Sequence, residues 1–102
     1  MNTFCFVGKV QEIPTLKETS SGVKNANLTL DVQRPFANSQ GIYESDRVQV
    51  EVWRGVAETI CNVTKVGDWI SVKGRVAVYP YEKDGKTYYN PVFVSENVEF
   101  IN

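Results

Sequence analysis

The sequence contains no histidine and only two cysteines, Cys5 and Cys61, which lie far apart. Histidine is the side chain whose charge changes most readily near neutral pH, so its absence weighs against acid–base catalysis. Two separated cysteines cannot supply the ligands of a zinc site, and we interpret them as buried core thiols. The sequence therefore predicts a protein that is not an enzyme, with no catalytic residues, no metal and no cofactor.

Phosphate-binding loops and membrane-directing segments are also missing. Neither GxGxxG nor GxxxxGK followed by Ser or Thr, the two glycine-rich patterns that cradle phosphates, occurs in the chain. No apolar run approaches the length of a membrane-spanning helix, and the apolar start at residues 4–7 is too short for a signal peptide. We expect a cytoplasmic protein with no membrane contact.

The composition is that of an ordinary small globular protein. Its 102 residues are 42% hydrophobic and 23% charged, which suits one domain, residues 1–102, with a single modest core. The net charge is −1, and this weighs mildly against nucleic acid because domains that bind phosphates are usually basic. A net value does not show how the charges are distributed, so the strands have to be placed first.

Alternation of apolar and polar residues predicts three strands in the first half of the chain. In residues 26–32 and 47–53 every second residue is Ala, Leu or Val, as in a strand with one buried face. Residues 3–13 are also rich in strand formers, and Gly8 within them indicates a bend or bulge. Residues 34–45 contain Pro, Asn and Gly and are expected to form a loop.

The periodicity changes in the second half of the chain. Residues 55–68 show helical spacing of their apolar residues and a typical stop at Gly67, which predicts one short helix. Alternation then returns, with Trp69 expected to pack near the helix. The pair Asp84-Gly85 predicts a β-hairpin turn, so the last two strands should form a long arm.

This order of elements predicts an all-β fold. Three strands, a short helix and two further strands fit a five-stranded OB-fold barrel with the helix between the third and fourth strands. The long hairpin arm then connects the fourth and fifth strands. An SH3-like barrel is the main alternative, but it usually lacks a full helix at that position.

The outward faces of the predicted strands carry rings and cations. A valine-rich inner face is explained by the core, but a tryptophan and two tyrosines on the polar side are not. Aromatic platforms for bases and cations for phosphates are the means by which proteins bind single-stranded nucleic acid. Equally, the tryptophan could pack under the helix and the tyrosines could brace the arm. The outward rings and cations are Arg47, Trp53, Lys73, Arg75, Tyr79 and Tyr81.

Over essentially its whole length the chain resembles the bacterial single-stranded DNA-binding protein family. The matching words are VGKV, SSGVKNANLTLDVQRPF, VEVWRGVAETICNVTKVGDWISVKGRV and VSENVEF, in the order and spacing of the family. The resemblance implies an OB fold and a homo-oligomer, a tetramer more often than a dimer. It also implies sequence-tolerant binding of single-stranded DNA in DNA replication, recombination and repair.

The resemblance also implies roles for particular residues. Phe36, Trp53 and Tyr81 stand where the family places base-stacking aromatics, and Arg47 stands where many members have a further aromatic. Of the two tyrosines on the returning limb of the arm, we expect Tyr89 to face DNA. The expected nucleic-acid-binding residues are Lys9, Arg34, Phe36, Arg47, Trp53, Lys73, Arg75, Tyr79, Tyr81 and Tyr89.

Two alternatives to this function remain. One is an OB dimer similar to the bacterial primosomal replication protein, which the motifs fit more loosely. The other is an OB domain that binds proteins or oligosaccharides without nucleic acid, which the acidic balance of the chain slightly favours. Family members that recruit other enzymes carry an acidic C-terminal tip, and the sequence ends at VEFIN. Tail-mediated protein partners are therefore not expected.

Overall fold

The computed structural model describes residues 1–101 of the chain. Six strands and one helix make up the regular structure of these residues. They are β1 (Phe4–Glu12), β2 (Lys17–Glu18), β3 (Lys24–Ala37), β4 (Tyr43–Trp53), α1 (Arg54–Val63), β5 (Trp69–Lys83) and β6 (Lys86–Ile101).

The five long strands close into a barrel. The strand order is β1-β5-β6-β4-β3, and a further pairing of β1 with β3 completes the circle. The two-residue strand β2 is only an appendage of β3. All pairings are antiparallel except that of β4 with β6, which is parallel. The expected five-stranded barrel with one helix between its third and fourth strands is confirmed.

The core follows the alternation seen in the sequence. Leu28 and Leu30 from β3, Val50 from β4, and Ile70 and Val72 from β5 are completely buried. Removal of this apolar surface from water is the main force that holds the barrel together.

Phenylalanine rings fill the part of the core nearest the arm. Phe4, Phe6 and Phe93 form a cluster whose ring centroids lie 4.8–5.2 Å apart, in tilted and edge-on arrangements. Phe93 pairs with Val76 at the point where the two strands of the arm leave the barrel.

The arm is a β-hairpin formed by β5 and β6. Its strands pair as far as Lys83 and Lys86, and Asp84 and Gly85 between them have φ values of +52° and +76°. Two successive positive φ values match the tight hairpin turn that the sequence predicts. Residues 78–91 are all exposed, so the arm projects into solvent.

The helix and the β3–β4 connection differ from their predicted extents. The helix ends at Val63, not near Gly67, because the chain turns there and the Gly67 amide donates a hydrogen bond to the carbonyl oxygen of Val10. Most of residues 34–45 belong to strands, and only residues 38–42 form the turn between them. The polar composition reflects exposure of this hairpin tip and not a lack of strand pairing.

Two predictions of burial are wrong. Trp69 is 46% exposed and not packed away, because it lies on the outer side of β5 between Lys9 of β1 and Ile101 of β6. Cys5 is exposed on the outer side of β1, and only Cys61, a residue of α1, is partly buried, where it packs against the core. Burial raises the pKa of the Cys61 thiol.

The helix is ten residues long. Within the described part of the chain, no helix combines the length and apolar composition that a membrane crossing needs.

Close backbone contact at Gly74 shapes the barrel. β6 has an extra residue here, since Lys73 pairs with Asn97 but Gly74 pairs with Ser95. A Cβ atom at Gly74 would overlap the carbonyl oxygen of Val94 and would lie 2.9 Å from the Phe4 ring. Only glycine allows the two strands to come this close.

We expect Gly74→Ala to lower the free energy of unfolding by about 1–3 kcal/mol, the usual range for overpacking a tight site. Urea unfolding followed by circular dichroism would measure the loss. The matched control is Gly55→Ala in α1, where a Cβ atom meets nothing within 4 Å and where φ is not positive. That variant should be at least as stable as the wild type, because alanine favours a helix. Equal stability of the two variants would contradict the role given to Gly74.

Candidate nucleic-acid interface

Three of the expected binding residues line one groove on the outside of the barrel. Trp53 comes from the end of β4, Arg75 from the middle of β5 and Tyr79 from the base of the arm. The groove has a volume of about 590 Å³. Its walls are completed by Thr19, Ser21, Val23, Arg54, Val94, Ser95 and Glu96.

Strand register brings these residues together. The parallel pairing of β4 with β6 sets Glu51 beside Val94, and the antiparallel pairing of β5 with β6 sets Arg75 opposite Val94. Successive side chains of a strand point to opposite faces, so residues two apart share a face. Trp53 therefore follows Glu51 on the outer face, and Tyr79 follows Arg75 along the same face of the arm.

The indole ring of Trp53 is held in place by a carboxylate. Its Nε1 donates a hydrogen bond of 3.1 Å to Oε1 of Glu51, two residues earlier on the same strand. Trp53 is half-buried, so part of its side chain remains accessible to solvent. One edge is fixed while part of its surface stays accessible, which is the geometry of a stacking platform.

The aromatic face continues along the arm through Tyr81 and Tyr88. These residues are cross-strand partners, and their rings stack with centroids 5.3 Å apart and an interplanar angle of 20°. Tyr79 lies on the same face, opposite Asn90. The arm thus carries three rings in line with Trp53 and Arg75.

Tyr89, which we expected to face DNA, lies on the other face of the arm from Tyr79 and Tyr81. It pairs with Pro80, which alternates with Tyr79 and Tyr81, and it is 69% exposed. The two-residue turn fixes this register, because it makes residue 81 the partner of residue 88. Counting outward from Asp84-Gly85 would have identified Tyr88 from the sequence alone.

Arg34 and Phe36 lie near the tip of the β3–β4 hairpin, outside the groove. Arg34 donates from Nε and Nη2 to the Asp46 carboxylate at 2.8–3.2 Å and from Nη1 to Glu44 at 3.3 Å. These hydrogen bonds lower the pKa of Asp46 and raise the pKa of the guanidinium. Phe36 is 62% exposed.

Arg47 is paired as well, but on the face of Trp53. It stands opposite Asp31, and its Nε donates a 3.0 Å hydrogen bond to that carboxylate, which raises the pKa of the guanidinium. Asp31 and Glu51, two acidic residues on this face, therefore each accept a hydrogen bond from a neighbouring side chain. This reduces the repulsion that free carboxylates would exert on an anion.

Lys9 and Lys73 are on a different part of the barrel surface. Lys9 lies between Trp69 of β5 and Asp31 of β3, and Lys73 lies between Cys5 of β1 and Asn97 of β6. Neither residue lines the groove. Both are exposed cations, and within residues 1–101 neither forms an ion pair.

Sequence reasoning missed Arg54 and the Thr19–Val23 turn, which form one wall of the groove. The sequence did not indicate Arg54 as a groove residue, because the first residue of a surface helix usually faces solvent. The turn joins β2 to β3, and the sequence does not show that it reaches the groove beside the end of β4. Its shape is set by Thr19, whose Oγ1 accepts a 3.1 Å hydrogen bond from the Val23 amide.

The described residues show no candidate metal centre. Among residues 1–101 no three His, Cys, Asp or Glu side chains converge in a way that could hold an ion.

Comparison with known proteins gives consistent matches. The model of the single-strand binding protein family matches residues 1–101. Single-stranded DNA-binding protein 3 of Listeria innocua is 43% identical over 99% of the chain, which corresponds to 64% of that protein. The single-stranded DNA-binding proteins of Oceanobacillus iheyensis and Bacillus cereus are 37% and 39% identical over the same share, with 63% and 60% of their own lengths covered. The chain thus spans less than two thirds of these relatives.

A solved structure gives the same fold. A crystal structure of a deletion mutant of the single-stranded DNA binding protein from Thermus aquaticus superposes with a TM-score of 0.81 at 22% identity. The superposition covers all of this chain and 51% of the other. It confirms the expected OB fold. With the family model matched over residues 1–101, this chain belongs to the single-strand binding protein family.

Proposed function

We propose that this chain binds single-stranded DNA without strong sequence specificity and protects it during replication, recombination or repair. The observation that carries the proposal is the groove in which Trp53, Arg75 and Tyr79 converge. Flat rings beside a cation match a ligand that alternates bases with phosphates. The names of the bacterial relatives point to the same ligand.

In this proposal Trp53 is the central stacking platform. A base stacked on such a ring contributes about 1–3 kcal/mol to binding and requires no particular base identity. Arg75 then contacts a neighbouring phosphate from the opposite wall of the groove. The role is binding and not catalysis, it takes place in the cytoplasm, and residues 1–102 act as one OB-fold nucleic-acid-binding domain.

The arm extends the path of the strand beyond the barrel. Tyr81 and Tyr88 already stack on each other, so a base can add to one end of an existing pair. We include Tyr79, Tyr81 and Tyr88 in the binding surface and leave out Tyr89, which lies on the other face. Phe36 is a further exposed platform at the tip of the neighbouring hairpin.

The basic residues are expected to contribute unequally. Arg75 makes no ion pair among residues 1–101, whereas Arg34 and Arg47 are each engaged with a carboxylate. An engaged arginine has to release or share its partner before it can contact a phosphate. We therefore expect Arg75 to bind DNA more strongly than Arg34 or Arg47, with Lys9 and Lys73 guiding the strand outside the groove.

The proposal includes a homo-oligomer, a tetramer before a dimer. The outer sides of β1, β5 and β6 expose Val7, Trp69 and Ile101, at 51%, 46% and 44%. Trp69 lies opposite Ile101 and two residues before Ser71, the partner of Val7, so the three side chains share one surface. Exposed apolar surface of this kind is typical of subunit contacts.

Tryptophan fluorescence can test the role of Trp53. In Trp69→Phe, Trp53 is the remaining tryptophan, and oligo-dT should quench it because the stacked base contacts the indole. In Trp53→Ala, binding should weaken by about 1–3 kcal/mol, which is roughly one to two orders of magnitude in Kd.

The two tryptophans serve as controls for each other. Trp69 lies outside the groove, so Trp69→Phe should keep nearly the wild-type affinity. If instead Trp69→Phe removed the quenching and Trp53→Ala left affinity unchanged, the DNA would bind the outer surface around Trp69 and not the groove. No binding of oligo-dT at low salt by the wild type would favour a protein-interaction module.

Light scattering can test the oligomer. The wild type should have several times the 11.5 kDa mass of one chain at micromolar concentration. Val7→Lys should lower that mass, because it places a charge in the middle of the apolar surface. Glu82→Lys, an exposed change on the arm, is the control and should leave the mass unchanged. A wild-type protein that is only monomeric would contradict the oligomer.

A pH titration can test whether Arg34 is engaged. The hydrogen bond from Arg34 lowers the pKa of Asp46 below its ordinary value of 3.8, so this pair stabilises the fold above that pH. The contribution is lost as the pH falls through the lowered pKa. In Arg34→Gln, an NMR titration should show the Asp46 pKa rising toward 3.8. Arg75→Gln should leave it unchanged, and an unchanged value in both variants would show that Arg34 is free.

A further inference from the structure

Arg54 has an unusual backbone conformation at the junction of β4 and α1. Its φ is +60°, in the left-handed region. Among residues 1–101 the only other residue besides glycine with a positive φ is Asp84, in the hairpin turn. Asp, Asn and Gly adopt this region readily, but a long side chain such as arginine does so at a cost. The chain has a glycine at the next position, Gly55, where φ is not positive.

The side chain of Arg54 lines the groove of Trp53, Arg75 and Tyr79. Arg54 is exposed, and within the described residues no carboxylate pairs with it. Nearby Lys24 contrasts with it, since its Nζ lies 2.8 Å from Oε1 of Glu58 on α1. The charge of Arg54 is thus available at the wall of the groove, while that of its neighbour is engaged.

Two cations, Arg54 and Arg75, lie on two sides of the groove, whose wall also contains the carboxylate of Glu96. Arg54 comes from the start of α1, next to the Thr19–Val23 turn, and Arg75 comes from β5 on the other side of Val94. Trp53 precedes Arg54 directly, so the platform and the guanidinium leave the backbone at adjacent positions. A base on Trp53 would place its phosphate within reach of this pair of arginines, which suit phosphate because they offer several donors in a planar fork.

We propose that Arg54 is a phosphate contact of this groove, and that its left-handed backbone is retained because it carries the guanidinium to the nucleotide stacked on Trp53. This inference rests on the proposed binding of single-stranded DNA. It assigns to Arg54 a conformation that glycine would adopt more easily and a binding role that glycine could not perform. Strain held at a binding site in this way is offset by the packing of the surrounding structure.

Arg54→Gly tests both halves of the proposal in one variant. Glycine accepts φ +60° without strain, so the urea midpoint should rise or stay the same. Affinity for oligo-dT should nevertheless fall. The slope of log K against log salt should become shallower by about 0.7 for each phosphate that the protein no longer neutralises. Arg54→Asn, a second uncharged residue that tolerates this backbone region, should make the slope shallower by the same amount.

Two controls separate charge from position. Arg54→Lys keeps the charge and should keep most of the slope. Lys65→Gln removes one positive charge beyond the other end of α1, away from the groove, and should leave the slope unchanged. A decrease in slope with Lys65→Gln equal to that with Arg54→Gly would show a general effect of net charge and would overturn the inference.

Failure of the inference and failure of the proposed function can be told apart. If the wild type binds oligo-dT and Trp53→Ala weakens it, but Arg54→Gly keeps the wild-type slope, the inference about Arg54 is overturned and the proposed function stands. An Arg54→Gly protein less stable than the wild type would also overturn it, since the strain would not exist. If the wild type does not bind oligo-dT at low salt, the proposed function itself fails.

Discussion

The close approach of Gly74 to the backbone of Val94 is the constraint on which the rest of the structure depends. It lets β5 lie tightly against β6 beside the parallel pairing of β6 with β4. That parallel pairing has only two register positions, Val50 with Phe93 and Glu51 with Val94. It nevertheless joins the two long hairpins of the protein on one side of the barrel, while the pairing of β1 with β3 completes the circle. Trp53 belongs to one hairpin and Arg75 to the other, so they share a groove only because β4 pairs with β6.

The distribution of charge explains how a chain with a net charge of −1 can present a groove with two arginines and one carboxylate, Glu96, in its wall. Lys24, Arg34 and Arg47 are each paired with a carboxylate, which removes both members of the pair from the local field. Arg54 and Arg75 are on opposite sides of the groove without such partners among residues 1–101. The acidic balance of the sequence is therefore a poor guide to the surface, because pairing cancels charge in one place and leaves it in another.

Much of the barrel could be predicted from the sequence because burial imposes a period of two. Leu28, Leu30 and Val50 were placed correctly by alternation alone, and Asp84-Gly85 located the turn of the arm. Alternation failed where a strand leaves the barrel, since Val78 continues the apolar pattern but is exposed on the arm. Trp69 was misplaced for the opposite reason. Its apolar character suggested packing, whereas its position next to the inward-facing Ile70 puts it on the outer surface.

The site was less predictable than the fold, because it combines elements that are distant in the sequence. Alternation placed Trp53, Arg75 and Tyr79 on outward faces, but only the parallel pairing of β4 with β6 shows that they line one groove. The alternation of side chains along a strand does not reveal ion pairs either, so Arg34 and Arg75 looked equivalent in the sequence. The backbone angle of Arg54 has no signature in composition or periodicity. Tyr88 is the exception, since the register of a two-residue turn would have identified it.

The hydrogen bond between Trp53 and Glu51 has a consequence for the entropy of binding. Ordering a mobile side chain at an interface typically costs about 0.5–1.5 kcal/mol. The indole is already oriented by the Glu51 carboxylate before any ligand arrives, so most of this loss was incurred when the chain folded. The loss of freedom on association then falls mainly on the flexible ligand, and the protein surface acts as a rigid template for it.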